Sequence, residues 1–489
     1  RSLSPEQINA TFNNRTDLIV AQETTTGQNW SVEITPNDGY DDGQTLESNG
    51  VFIRDIASPT FSGAVNTSPN FRRYQNFTAN ITISDDVALD YYIFSTNASG
   101  TWANISTIDI SGASYSASEQ ANISIARGSQ VCWLYYANDT AGNSANSSVN
   151  CFTVANTFPT QSTPILNSTN PATNDTNQNL TAYNISSADV DGDSIKNIFN
   201  WKVNGTPIAV LNMPFEQLNG TGGVNGNALD YSGFRNNGSV SGATWNATGG
   251  YDGKGAYEFD GIDDFINVQD NNSLDFATDG FSFGLWFKTP GVMGVQPDYR
   301  LVAKRSETIG YEILITGATN IIQLFYGNGS AYVTPNICSG TNIGSNLWQQ
   351  VTVVFSRSAG TVKAYLNGTL CSTSSISSVT GSIASTSDLI IGRFAGSGVR
   401  YFNGTIDDVM IFNRSLSAEQ INALYQNRTD LIVAQETTVG QNWSVQITPN
   451  DGYDDGQMLE SNGVLILDKI GPTFSGAVNT SPNFRRYQN

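Results

Sequence analysis

Apolar and polar residues alternate in short runs along most of this 489-residue chain. Gln130-Val131-Cys132-Trp133-Leu134-Tyr135 and Thr361-Val362-Lys363-Ala364-Tyr365 put every second side chain on one face, the period of a half-buried strand. Comparable runs at 91–96, 130–137, 281–288, 351–356, 361–367 and 388–393 lie between Gly, Asn and Asp turn residues. Asn-Gly pairs at 204, 328, 367 and 403 predict tight hairpins. The pattern predicts an all-β chain of sandwich and jelly-roll type. Helical periodicity appears in one sequence, which occurs twice. Ser417 can cap it and Gln420 complete a capping box, with Ile421, Leu424 and Tyr425 as an apolar stripe. In the other occurrence Ser4 is the cap, Pro5 takes the first helical position, and Ile8 and Phe12 repeat the stripe.

That recurrence is part of a longer one. Residues 1–76 return without a gap as 414–489, at a constant offset of 413, and 12 of the 76 positions differ, among them Pro5/Ala418, Phe12/Tyr425, Thr45/Met458 and Arg54/Leu467. Self-similarity at long range is the mark of a tandem array whose units contact their neighbours. The expectation is a window cut from such an array, since the chain carries no initiator Met, signal peptide or terminal cap.

Residues 58–156 read as one sandwich, closing in a hairpin centred near Ala141-Gly142. Cys132 and Cys151 are nearly equidistant from that centre, which predicts a cross-strand disulfide; two reduced core cysteines are the alternative. With its phrase "YYANDTAGN", the segment resembles immunoglobulin-like modules of archaeal surface proteins. Residues 211–427 contain "AYEFDGIDDFINV", "FSFGLWFKTP", "LWQQVTVVFSRSAGTVKAYLNGTL", "LIIGRFAG" and "FNGTIDDVMIFNRSLSAEQINALY" in order. Together these resemble the laminin-G-like (concanavalin-A-like) jelly-roll family. The resemblance implies a jelly roll with Cys338 and Cys371 stapling neighbouring segments inside it. Residues 157–210, with a core Trp201, resemble the first strands of another immunoglobulin-like domain, and 428–470 supply the strands it lacks. The predicted architecture is therefore tandem immunoglobulin-like sandwiches with an inserted laminin-G-like jelly roll, the insertion sitting in a surface loop. On the same reading 1–14 end a preceding jelly roll, 15–57 are the second half of a split domain, and 471–489 begin the next one.

Composition narrows the function. Acidic residues outnumber basic ones by 43 to 23, giving a net charge of −20. Such a balance without a basic stripe speaks against nucleic-acid binding. The longest apolar runs are too short to span a bilayer. About 27 Asn-X-Ser/Thr acceptors, including Asn9, Asn29, Asn80, Asn104, Asn138, Asn204, Asn246, Asn367, Asn403, Asn413 and Asn442, predict N-linked glycans on an extracellular or cell-surface protein. Turn positions such as Asn138, Asn246 and Asn403 are the expected acceptors, and Asn442 is expected to face outward beside an inward Trp443. Paired cysteines suit an oxidising exterior.

The chain holds no histidine, which removes the usual general base and zinc ligand. Only Glu258 near Asp260, and a solitary Glu312, occupy the region where jelly-roll glucanases place paired glutamates, so the expectation is no enzyme. Two acidic groups are candidate calcium sites. In the split domain Asp189, Asp191 and Asp193 are expected to meet Asp451, Asp454 and Asp455 at one end, with turn formation as the competing explanation. In the jelly roll Asp260, Asp263, Asp264, Asp407 and Asp408 resemble the family's acidic motif positions. Trp286 and Trp348 could stack on sugar, but aromatics at strand positions more often belong to a core. The leading expectation is a structural repeat of an extracellular filament or surface coat, archaeal in style, whose partners are copies of itself joined head-to-tail. The alternative is an adhesin whose jelly roll binds glycan or another cell.

Overall fold

The computed structural model describes residues 1–468 apart from 218–225, 278–279, 291–297, 318, 340–342, 344–345, 395 and 397–399. The expected start of a further domain at 471–489 lies outside the described residues. The chain divides into two compact units, Arg1–Thr157 and Phe158–Asn489, and strands dominate both.

In the first unit, Thr60–Thr67, Asn76–Ser84 and Ser114–Asn122 make one antiparallel sheet. Leu89–Thr96, Ala103–Asp109 and Gln130–Asp139 make a second, extended by Ser144–Asn146 and Asn150–Thr153. Alternation sends Phe77, Ala79, Ile81 and Ile83 from one sheet against Phe94, Val131, Trp133 and Tyr135 from the other, and these form a single core. Cys132 pairs in register with Cys151 and is disulfide-bonded to it. Residues 1–57 of this unit contribute α1 (Pro5–Phe12) and only two-residue strands, Asn29–Trp30 with Val51–Phe52 and Glu33–Ile34 with Leu46–Glu47.

In the second unit, strands from two distant stretches pair directly. Leu180–Tyr183 lies against Leu431–Ile432, and Lys196–Val203 runs antiparallel to Asn442–Asn450 along its whole length. Between them the chain builds a jelly roll. One sheet of eight described strands is centred on Phe281–Lys288, Gln349–Ser356 and Asn403–Phe412, and one of nine on Asp298–Arg305, Ile309–Thr316 and Ile322–Asn328. Their inner faces share a core that includes Phe281, Phe283, Tyr311, Tyr326, Val353 and Phe355. Cys338 and Cys371 are bonded within this domain. The strand Ala209–Met213 carries the chain from the paired strands straight into the eight-stranded sheet, against Asn403–Phe412. The outer face of that sheet, through Val354, Tyr365 and Phe412, joins Trp201, Trp443, Val445 and Ile447 in one second core. α2 (Ala418–Tyr425) seals it with Ile421.

Several local expectations need correction. Asn204-Gly205, Asn328-Gly329 and Asn367-Gly368 do turn hairpins; Asn367 and Gly368 take φ of 51° and 73°, the left-handed pair such a turn requires. Asn403-Gly404 instead opens the strand Asn403–Phe412, whose register against Ala256–Asp260 leaves no room for a turn. Asn138 and Asn246 likewise lie on the strands Gln130–Asp139 and Thr244–Asn246. The capping box is half-formed. Ser417 Oγ accepts from the Gln420 N–H, but the Gln420 side chain reaches forward, donating to Leu431 O and accepting from the Val433 N–H. The free Ser417 N–H goes to Glu436 instead. Gln7 makes the same two bonds to Leu18 O and the Val20 N–H, and Ser4 turns to Glu23. A helix of two turns gains more from tying down the adjoining loop than from bonding its own cap.

Candidate functional site

Lys196 opens its strand at the seam between the paired strands and the jelly roll. Its ammonium forms ion pairs with Glu216, with Asp252 at 2.9 Å and with Asp408 at 3.4 Å. Asp407, fully buried, accepts from the backbone N–H groups of Tyr251 at 3.1 Å and Asp408 at 2.8 Å. Four carboxylates thus surround one cation, out of water. Burial works against the Lys196 charge, yet the surrounding carboxylates outweigh it and hold its pKa well above the ordinary lysine value. Burial pushes Glu216 up to about 7 against the pull of Lys196. Asp407 is held well above the ordinary aspartate value, by burial and then by Asp408. Tyr251 stacks on Trp286 at 4.0 Å beside this cluster, and Tyr425 of α2 lies 5.5 Å from Trp286 on its own account. Trp286 is therefore buried in the seam, and Trp348 is half-buried under Lys288. The cluster ties the paired strands to the jelly roll, and Trp286 and Asp408 line a small cavity of about 20 Å³.

A second concentration of charge lies on the outer face of the nine-stranded sheet. Glu312, fully buried, is held by Arg300 at 2.6 Å and Arg305 at 2.7 Å. Both guanidiniums also lie over the Phe394 ring, at 5.3 and 4.2 Å, and Arg305 covers Phe325 at 4.1 Å. Asp298 bridges Arg300 and Arg400. Glu312 is thus committed to positioning two arginines, and Glu258 accepts from Asn246 Nδ2 on an exposed strand position. Planar guanidiniums over aromatic rings are suited to recognising carboxylates. The signal in the sequence is a carboxylate and two arginines inside otherwise apolar strands, "YRLVAKR" and "YEILI"; their meeting depends on pairing across the sheet.

The carboxylates singled out as metal candidates are rearranged by the fold. Asp189, Asp191 and Asp193 each bring an oxygen within 4.8 Å of the others. Asp451 is near enough to raise Asp189, after the larger effect of burial. The pairing Lys196↔Asn450 puts the 189–193 loop and residues 451–455 at the same end of the paired strands. Asp451 Oδ1 accepts from the N–H groups of Tyr453 and Asp454, and Asp455 is occupied by Tyr231 Oη at 2.9 Å and Asn450 Nδ2 at 2.8 Å. In the jelly roll Asp260, Asp263 and Asp264 form a comparable trio. Asp407 and Asp408 are elsewhere, because the register Tyr257↔Ile406 and Asp260↔Asn403 puts them at the opposite end of that strand. A third trio, Asp55, Asp85 and Asp86, has no compact signature in the sequence; Asp55 is 30 residues from the pair, and "DD" by itself marks only a turn. Each trio could offer oxygen ligands to a hard divalent cation.

The eleven named acceptor asparagines all lie at half-buried or exposed positions: Asn9, Asn29, Asn104, Asn204, Asn413 and Asn442 are exposed, and Asn80, Asn138, Asn246, Asn367 and Asn403 are half-buried. Asn442 faces outward next to the fully buried Trp443.

Residues 259–422 match the model of the concanavalin A-like lectin/glucanases superfamily, laminin-G type. No curated protein matches. Among solved structures, the binding domain of Paraclostridial Mosquitocidal Protein 1 is similar at 19% identity and a TM-score of 0.37, over 45% of this chain and 52% of that one. The binding domain of botulinum neurotoxin DC, solved with rat synaptotagmin II, gives 20%, 0.35, 45% and 52%. The ligand-binding domain of botulinum neurotoxin serotype D, solved with N-acetylneuraminic acid, gives 18%, 0.35, 45% and 51%. The chain spans about half the length of each of these structures.

Proposed function

We propose that this chain is a structural repeat of a glycosylated extracellular filament or cell-surface coat, archaeal in style, assembled head-to-tail. The observation that carries this reading is the return of residues 1–76 as 414–489, with both described copies building the same short helix and the same forward-reaching glutamine. Connecting segments of an array must make the same local bonds at every junction, and these do. The core shared by the paired strands and the jelly roll makes the second unit a stiff spacer rather than beads on a string. Two disulfides and unburied glycan acceptors support an exterior location. The sandwich of the first unit and the paired strands of the second are read as immunoglobulin-like modules. Electron imaging of the native particle tests this: filaments or a coat with a regular axial period are expected, and discrete, non-repeating particles would overturn it.

The adhesin reading is favoured by one observation, the arginine–aromatic cluster around Glu312 on the outer face of the nine-stranded sheet, which contributes no residue to the second core. That face suits a carboxylate-bearing glycan. On a glycan array the whole chain should then retain acidic sugars, and Arg300→Met with Arg305→Met should lose them; absence of any retained glycan refutes this second reading.

A further inference from the structure

One sequence stands in this molecule in two environments, and the difference identifies a docking surface. In the second copy Ile432, Val445, Ile447 and Val464 are 2, 0, 0 and 6% exposed; their counterparts Ile19, Val32, Ile34 and Val51 are 48, 50, 62 and 57% exposed. Local folding does not account for this. The Trp443 Nε1–H donates to Gln441 Oε1 and the Gly440 N–H to Ile466 O; Trp30 and Gly27 make the same bonds, to Gln28 Oε1 and Ile53 O. What differs is the partner. The second copy lies along Lys196–Val203, with Trp443 opposite Val203, Val445 opposite Trp201 and Ile447 opposite Phe199. The first copy has its backbone edge and apolar face already shaped for that strand.

We infer that residues 15–57 are a docking element for the 158–213 half of a second copy of this chain, paired in the register that 428–468 use within the chain. Trp30 then faces Val203, Val32 faces Trp201 and Ile34 faces Phe199 of that second copy. The added strand brings main-chain hydrogen bonds and inserts alternate side chains into a ready core. In each chain the acceptor is filled by its own tethered 428–468, which tethering favours by effective concentration. Docking is therefore an exchange of one donor for another, from the head of one molecule to the tail of the next. This deepens the structural-repeat reading and rests on it.

The experiment uses the whole chain, with the tethered donor weakened. In Val445→Asp/Ile447→Asp the vacated acceptor should recruit the first copy of another molecule, so light scattering should give at least double the monomer mass. Adding Val32→Asp/Ile34→Asp should restore the monomer. A folded Val445→Asp/Ile447→Asp chain that stays monomeric, or association that persists with the first copy blocked, overturns the inference. The milder Ile447→Ala chain guards against simple unfolding. In it Ser444 opposes Lys202, so Ser31→Cys on one molecule and Lys202→Cys on another should form an intermolecular disulfide. A folded Ile447→Ala mixture lacking that link counts equally against it. Such failures would leave the axial period seen by imaging unchanged, so the two readings are judged separately.

Discussion

Lys196 shows how much can depend on one side chain. It is the cation among Glu216, Asp252, Asp407 and Asp408, and replacing it leaves buried carboxylates facing one another. Lys196→Met should therefore cost about 3–5 kcal/mol of stability in the second unit. The cost should shrink in acid, where those carboxylates take up protons; chemical denaturation at two pH values measures both. The wild-type chain should show the same chemistry more gently. Glu216 sits at about 7 in the fold against an ordinary 4.5. Across that window the folded state keeps a proton that the unfolded chain has released. Through this group, stability of the second unit should then fall as pH rises from about 4.5 to about 7. Glu216→Gln should flatten this slope, and a slope unchanged by that substitution would contradict the assignment.

At the scale of elements, the short helix is held by the loop on its C-terminal side. Gln420 is buried and makes two bonds to the strand and turn after α2, while Ser417 relies on Glu436. Gln420→Ala leaves the half-buried Leu431 carbonyl and the buried Val433 N–H without this partner, so it should destabilise the second unit by about 1–3 kcal/mol in a thermal melt. The sequence showed the cap and the apolar stripe, both local signals. It could not show that the glutamine reaches forward, because a capping box and this staple begin with the same residues and part only when the loop folds back. The hairpins divide in the same way. Asn367-Gly368 turns because nothing opposes it; Asn403-Gly404 does not, because cross-strand pairing with Ala256–Asp260 overrides a local preference.

For the whole molecule, the proposed glycosylation is what direct measurement tests most simply. None of the eleven named acceptors is buried and six are exposed, so the native protein should weigh clearly more than the 52.6 kDa polypeptide, and an intact mass equal to the bare chain would refute it. Glycans at Asn204 and Asn442 would stand on the outward side of the paired strands, where they leave the core undisturbed.

Alternation of side chains determined the all-β class, and hairpin symmetry determined the pairing of Cys132 with Cys151, because both are set by neighbours along the chain. Motif order determined that a concanavalin A-like jelly roll occupies the middle of the second unit. What the sequence left open are the charge constellations. Asp407 and Asp408 read as companions of Asp263 and Asp264 until strand register separates them, and nothing next to Lys196 in the sequence announces the four carboxylates of the jelly roll that enclose it. The same holds for the two copies of one sequence. Each chooses its own turns and hydrogen bonds locally, but only contact with Lys196–Val203 decides which of them buries its apolar face. Local preferences are written residue by residue, whereas burial is a property of what arrives on the other side.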